Sequence, residues 1–493
     1  MPFLAGTGTA RRLRACLDDA GFTLDALTDR LGPQAAAHLA AGELAPLVRA
    51  TRAGDRLDIL LRLFVVGVPV PRADVRAALA GVLVEELAAG DVLRAEGDEV
   101  EGRISLRPLD APEGWVVAHD RPPAAGAALA ADHVIGVSAS TMALAGSTIR
   151  RPVGSTLDVG TGCGVQALFA SPHSDRVVAS DVNPRAVALA TLTMELNGAG
   201  NVEVRSGDLL DPVAGETFGL VVANPPFVIS PSERYLFRDA AHPVDDLCRT
   251  LVRSVPGHLE EGGHFQCLAS WAQVTGEAWR DRLAAWFAGI GCDALVLVRE
   301  VLDPAAHAAN WLRQTEQPDR WEPEYDRWMA YYERHRIEAI GLGLITMRKG
   351  AGADGWFRAE QAEQDFAMPC GDHLGAAFEL ADFLGAHEDD RLAAAHLCVA
   401  PDVVLDERAG PHAERGWSVT DRRLRQTAGL RREGEVDGGV AAIVAECDGS
   451  RPLAAVLDGA ASSAGLDATV MAQAALPVIR RLVEQGFLLP AAG

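Results

Sequence analysis

Residues 157–165 read LDVGTGCGV, an apolar run that closes on Asp158 and is followed by glycines at 160, 162 and 164. An extended strand must therefore turn sharply here and re-enter a helix. Glycine is required where the backbone enters the left-handed region or where a ligand must approach it closely. STLDVG, DRVVASDV, VEVRSGD, GLVVANPP, GGHFQCLAS, DALVLVRE and IGLGLITMR are seven strand candidates between about 134 and 350. Helix-length spacers separate the early ones, which predicts βαβ units and a parallel, doubly wound sheet.

The flanks have a different texture. Residues 1–125 carry apolar positions at helical spacing in LRACLDDAGF, AAAHLAAGEL, DRLDILLRLFVVG and PRADVRAALAGVLVEELAAGDVL. Two short strands follow around the glycines of GDVLRAEGDEVEGRISLRPL, so this part is expected to be a winged-helix-like domain. RPPAAGAALA reads as a linker into the α/β segment at 126–350. Within that segment, 304–338 is an aromatic insertion containing Trp311, Trp321, Tyr325, Trp328, Tyr331 and Tyr332. Residues 351–379 are expected to be a linker, and 380–493 a second winged-helix-like domain with three helical patterns and a short apolar end.

Composition narrows the partners. With 45 basic and 68 acidic residues the chain has a formal charge of −23, which disfavours avid non-specific nucleic-acid binding. The eight cysteines show neither CxxC nor zinc spacing, so they are read as reduced thiols and no metal is expected. No run of eighteen apolar residues and no secretory h-region is visible, which predicts a soluble cytoplasmic protein with no membrane partner.

The chemistry is concentrated at the strand ends. Asp181 closes the second strand about twenty residues beyond the glycine turn, where a carboxylate can accept both hydroxyls of a ribose. Asp208 closes the third, where it can accept from an adenine amino group. The fourth ends in Asn224-Pro225-Pro226-Phe227. Two prolines fix the backbone and remove two N–H donors. The Asn224 side-chain oxygen and the Pro225 carbonyl can then both accept from one planar NH2 group, with Phe227 as a stacking face. Such a site suits an amide or exocyclic amine. Holding both N–H bonds favours a more tetrahedral nitrogen whose lone pair points out of plane.

Over about 155–270 these motifs resemble class I S-adenosylmethionine-dependent N-methyltransferases with an (N/D/S)PP(Y/F/W) motif. Within that group the pattern is similar to the HemK-like glutamine methyltransferases of release factors and to the small methyltransferase domains of ribosomal-RNA guanine enzymes. The resemblance implies a Rossmann-like, seven-stranded methyltransferase core between the two winged-helix-like modules, with S-adenosylmethionine as cofactor. It places Asp158, Gly160, Gly162 and Gly164 along the methionine part of that cofactor, with Thr161 in the same loop. Asp181 and Val182 fall at the ribose, and Asp208 and Leu209 at the adenine. Asn224, Pro225, Pro226 and Phe227 become the catalytic acceptor site. Phe218-Gly219 stands where FD is usual, and VISPSERYLFRDAAHPVDD replaces a Gly-rich stretch, so the pattern departs from the release-factor enzymes.

Arg238 can orient substrate or simply pair with Asp239. Trp271 can line the pocket or belong to the core, as an aromatic there more often does, and Trp311 is a further candidate for contacting substrate. His242 and His264 read as structural, and the aromatic insertion as either a lid or a packed helical hairpin. The acid excess favours a protein, peptide or small-molecule acceptor. A nucleic-acid base methyltransferase is the first alternative, and a non-catalytic cofactor sensor the second.

Overall fold

Runs of Val, Leu and Ala uninterrupted by charge, such as LVVA at 220–223, form strands buried on both faces, as a parallel sheet covered by helices requires. The computed structural model describes residues 3–491 except 5–7, 123–128, 233, 237, 240–242, 317–318, 351, 353, 363 and 413–415. The seven expected strands are β1 Val153–Val159, β2 Ser174–Asp181, β3 Val202–Ser206, β4 Phe218–Ala223, β5 Leu259–Val274, β6 Cys292–Leu302 and β7 Ile337–Lys349. An eighth, β8 Phe357–Gln361, pairs outside β6, so the sheet runs 8-6-7-5-4-1-2-3. The pairs from β3 across to β5 are parallel, whereas β7 lies antiparallel between β5 and β6. The strand order reverses between β1 and β4, and a crevice at the carboxyl ends of such a switch point is where open α/β sheets bind ligands.

The helices are α1 Val165–Ala170, α2 Pro184–Asn197, α3 Asp246–Ser254 and α4 Trp279–Phe287, then α5 Pro304–Thr315 and α6 Trp321–Arg334 from the aromatic insertion. Asn183 caps α2, accepting from the Arg185 amide at 2.9 Å, with Pro184 at the first helical position.

The chain divides into two compact units, Met1–Ala145 with Pro152–Glu360, and Gly146–Arg151 with Gln361–Gly493. The N-terminal helices share one apolar core with the sheet side of the first unit, which joins Leu13, Leu17 and Phe64 to Leu189 and Leu192 of α2. Asn197 Oδ1 accepts from Arg14 at 2.6 Å and from the Val116 amide at 2.9 Å. The N-terminal part also contains helices Arg72–Ala78 and Val84–Ala89 and the hairpin of Leu93–Glu96 and Glu99–Gly102, against which Val70–Pro71 pairs.

Two stretches differ from expectation. The proposed linker at 351–379 contains β8 and the start of helix Gly371–Ala386. FRAEQ is polar and only half buried, as suits an edge strand, and gave no apolar run to recognise. The polar stretch after residue 400 forms a three-stranded antiparallel sheet, Val403–His412, Gly416–Gln426 and Glu433–Glu435. The three C-terminal helical patterns form helices Gly438–Ala445, Leu453–Ala464 and Ala468–Glu484, followed by strand Leu488–Pro490.

All eight cysteines are free, seven of them buried. Among the described residues, no helix is long and apolar enough to cross a membrane and no cluster of His, Cys, Asp or Glu could hold a metal.

Candidate active site

Register brings the motif residues level. Val159 pairs with Ser180 on one side and Ala223 on the other, and Ala223 pairs with Cys267. Gly160, Asp181 and Asn224 therefore leave the sheet side by side. The amides of Gly160 and Thr161 both donate to the Ser180 carbonyl at 2.9 Å, which ties the glycine turn to the end of β2.

The three glycines have left-handed backbones, with φ of 70°, 56° and 88°, but they do different jobs. A Cβ on Gly160 or Gly162 would meet nothing within 4 Å, which leaves room for a ligand against the backbone. A Cβ on Gly164 would lie 2.7 Å from Met194 Cε and 3.3 Å from Ala190 Cα. Gly164 therefore serves the packing of α1 on α2, whereas the other two leave the backbone open.

Asp158 is fully buried. One carboxylate oxygen accepts from Thr161 Oγ1 at 2.6 Å and the Ala167 amide at 3.0 Å, which fastens the turn to α1. The other has no partner among the described residues. Burial, against those two hydrogen bonds, pushes this carboxyl up to about 7. Asp181 accepts from the Gly162 amide and the Asn183 amide, both at 2.8 Å, and burial raises it too. Val182 beside it is an exposed aliphatic, 53% accessible, as a face for a flat ring would be. Asp208 is exposed, and Leu209 sits at φ 44°, a strained position for a branched residue at a turn that faces the same crevice.

On the other side of the switch point, Pro225 is buried and Phe227 half-buried against the core under β5. Ser270 donates its hydroxyl to the Phe227 carbonyl. Asn224 Oδ1 is buried without a hydrogen-bond partner among the described residues. An unpaired buried amide oxygen costs about 1–3 kcal/mol, and a ligand N–H would recover it. The unpartnered oxygens of Asp158 and Asn224, the space at Gly160 and Gly162 and the exposed Val182 together fit a nucleoside cofactor beside a planar nitrogen.

The chain after Phe227 is held by side chains that sequence reasoning assigned elsewhere or missed. Arg238, a substrate candidate, is 2% exposed and has its donors engaged. Nε and Nη2 donate to Asp239 at 2.6 and 3.0 Å, and Nη1 to Thr315 Oγ1 at 2.6 Å. Trp271, another candidate, is core: it is 1% exposed and lies against Gly341, its register partner on β7. A Cβ on Gly341 would stand 2.5 Å from the indole. Trp311 is half-buried within the aromatic hairpin. His264 lies in β5 opposite Arg348, and His242 falls outside the described residues. The insertion is a packed hairpin with Trp328 and Tyr332 fully buried. Asn183 Nδ2 donates to the Asp132 carbonyl at 2.8 Å and the Leu236 amide to the Ala131 carbonyl at 3.2 Å, so residues 131–132 cross from one half of the site to the other.

Residues 137–278, which span the glycine turn and the acceptor tetrapeptide, match the family described as methyltransferase small domain. Residues 19–103 and 375–490 each match a family described as a domain of unknown function. A ribosomal RNA small subunit methyltransferase C from Alcanivorax borkumensis is 30% identical over 128 residues, 26% of this chain and 35% of that protein. A ribosomal protein L11 methyltransferase from Pelotomaculum thermopropionicum is 49% identical over 76 residues, 15% of this chain and 24% of its own. The chain thus spans about a third or less of these curated relatives. A solved ribosomal protein L11 methylase from Lactobacillus delbrueckii subsp. bulgaricus overlaps 43% of this chain and 77% of its own, at 17% identity and a TM-score of 0.25. The segment bearing the site is thus similar to methyltransferase domains.

Proposed function

We propose that this chain is an S-adenosylmethionine-dependent N-methyltransferase acting on a planar amide or exocyclic amino nitrogen, most readily one carried by a protein or peptide. The carrying observation is Asn224 Oδ1, a buried acceptor without a partner beside the glycine turn. The cofactor supplies an electrophilic methyl carbon on a sulfonium. Gly160, Gly162 and Asp181 hold and orient it, and Val182 covers its base. Asn224 and the Pro225 carbonyl accept both N–H bonds of the acceptor and turn its lone pair out of plane. These hydrogen bonds strengthen as the nitrogen becomes positive, so they act on the transition state more than on the ground state. Placing the two reactants in line is the protein's main contribution, worth up to about 7–11 kcal/mol in the best intramolecular cases.

The acidic N-terminal hairpin fits a protein acceptor better than a phosphate backbone. The N-terminal hairpin at 93–102 carries Glu96, Asp98, Glu99 and Glu101 against Arg94 alone, and the apolar side chains Val182, Ile135 and Leu236 are exposed in the first unit. A base-methylating reading draws on the likeness to the ribosomal RNA enzyme, 30% identical over 128 residues.

Incubation with methyl-labelled S-adenosylmethionine and extract from cells lacking the gene separates these readings. Label in protease-sensitive material supports the proposal. Label in nuclease-sensitive material replaces the acceptor with a nucleobase. Binding of the cofactor without any transfer rejects the enzyme altogether.

A further inference from the structure

Beyond Phe227 the chain makes a compact turn around one buried carboxylate. Asp239 Oδ1 accepts from Arg238 Nε at 2.6 Å and Ser230 Oγ at 2.9 Å. Oδ2 accepts from Arg238 Nη2 at 3.0 Å, the Arg234 amide at 3.0 Å and the Tyr235 amide at 3.1 Å. Asp239 also bridges Val228, the residue after the acceptor tetrapeptide. Five hydrogen bonds on one carboxylate close the loop upon itself.

The aromatic hairpin then fastens that loop from behind. Arg238 reaches Thr315 at the end of α5 and lies over the Trp328 ring at 5.5 Å. From α6, Tyr332 donates to the Ile229 carbonyl at 3.1 Å, and Arg327 to the Pro231 carbonyl at 2.7 Å. Tyr331 Oη accepts from the Val244 amide at 2.8 Å. Val244 sits at φ 54°, which a β-branched residue adopts only when its surroundings impose it. A lid must part from what it covers at little cost. This hairpin is instead joined to the loop by buried charge and by carbonyls that would be left unpaired.

We infer that the Arg238–Asp239 pair is the positioning element of the acceptor pocket, locking the chain after Phe227 to the aromatic hairpin so that the pocket is already shaped in the free protein. This deepens the N-methyltransferase reading and rests on it for its purpose, though not for its geometry. A preformed pocket selects acceptors by shape and brings Asn224 to the nitrogen without a closing step. Arg238 and Asp239 touch no substrate; they act through the tetrapeptide.

Hydrogen exchange on the full chain tests the geometry. The Arg234, Tyr235 and Val244 amides should be protected about 100-fold or more without ligand, and S-adenosylhomocysteine should leave them unchanged. Exchange at open-chain rates that slows only on adding the ligand would make the segment a lid and overturn the inference. Asp239→Asn should lose protection at the Arg234, Tyr235 and Val244 amides while β1 to β4 keep theirs; loss throughout the sheet would mean that the pair merely holds the fold. Thr315→Val and Tyr332→Phe, which leave the ion pair in place, keep the test open should Asp239→Asn misfold. In the labelling assay, Asp239→Asn and Thr315→Val should bind S-adenosylhomocysteine within about twofold of the parent, yet transfer label about tenfold more slowly at saturating extract. Unchanged transfer, or parallel loss of binding and transfer, rejects the positioning role. A parent protein with the protected loop but no transfer would sink the methyltransferase reading alone.

Discussion

The two halves of the crevice are built by different means. On the glycine side, Asp158 and Asp181 are held by amides and a hydroxyl drawn from 158–183: Thr161, Ala167, Gly162 and Asn183. On the acceptor side, the loop after Asn224-Pro225-Pro226-Phe227 is held by Thr315, Arg327, Tyr331 and Tyr332, residues 77 to 103 positions away in the chain. A cofactor site used in the same way by many enzymes can be made from one strand–turn–helix unit. A pocket for a particular acceptor needs shape, and here the shape is supplied by an insertion.

If the halves are as separate as this, substitutions should divide cleanly between transfer and binding. Asn224→Ala should have the largest effect, lowering transfer about 10²–10³-fold, with cofactor affinity within a few-fold by calorimetry. A comparable fall in affinity would merge the two halves. Asp181→Ala comes next, weakening cofactor binding by about 1.5–3 kcal/mol, the range for a hydrogen bond to a charged group; normal binding would misplace the ribose. Within the glycine side, Gly164→Ala should cost about 2–5 kcal/mol in denaturant unfolding, because it combines a left-handed backbone with a backbone contact in α2. Gly160→Ala has only the backbone penalty of about 1–2 kcal/mol and should show mainly as weaker cofactor binding. Reversal of that order would reject the roles given to the two glycines.

A further effect concerns pH. Asp158, pushed up to about 7 by burial, holds a proton in the folded chain that the unfolded chain has already released above about pH 4. Its contribution is therefore fully present at low pH, is lost as pH rises from about 4 to 7, and is flat beyond. The slope approaches about 1.4 kcal/mol per pH unit. In Asp158→Asn that slope should vanish from stability measured against pH; an unchanged profile would mean that the carboxyl is ionised throughout.

The same division explains what could be read in advance. Asp158, the glycines and Asp181 were legible because their order along the strands fixes their place at the switch point. The tetrapeptide was legible because its prolines leave few conformations open. The Arg238–Asp239 ion pair was legible as an alternative, but an adjacent Arg-Asp says nothing about the Thr315 hydroxyl waiting 77 residues later. Trp271 belongs to the core because β7 offers it Gly341, a pairing set by register that no local pattern announces. β8 escaped notice because an edge strand needs little apolar character, and the charged hairpin of Val403–His412 and Gly416–Gln426 for the same reason.

The position of β8 also bears on how the chain emerges during synthesis. β7 must slide between β5 and β6, and β6 remains an open edge until residue 361 has been made. Until β7 begins at Ile337, β6 has neither neighbour, so through the making of the whole aromatic hairpin a long apolar strand waits with both edges unpaired. Such an edge invites pairing with a neighbouring nascent chain. That exposed interval falls after β1 to β4 and the glycine turn are complete and while the aromatic hairpin is being made.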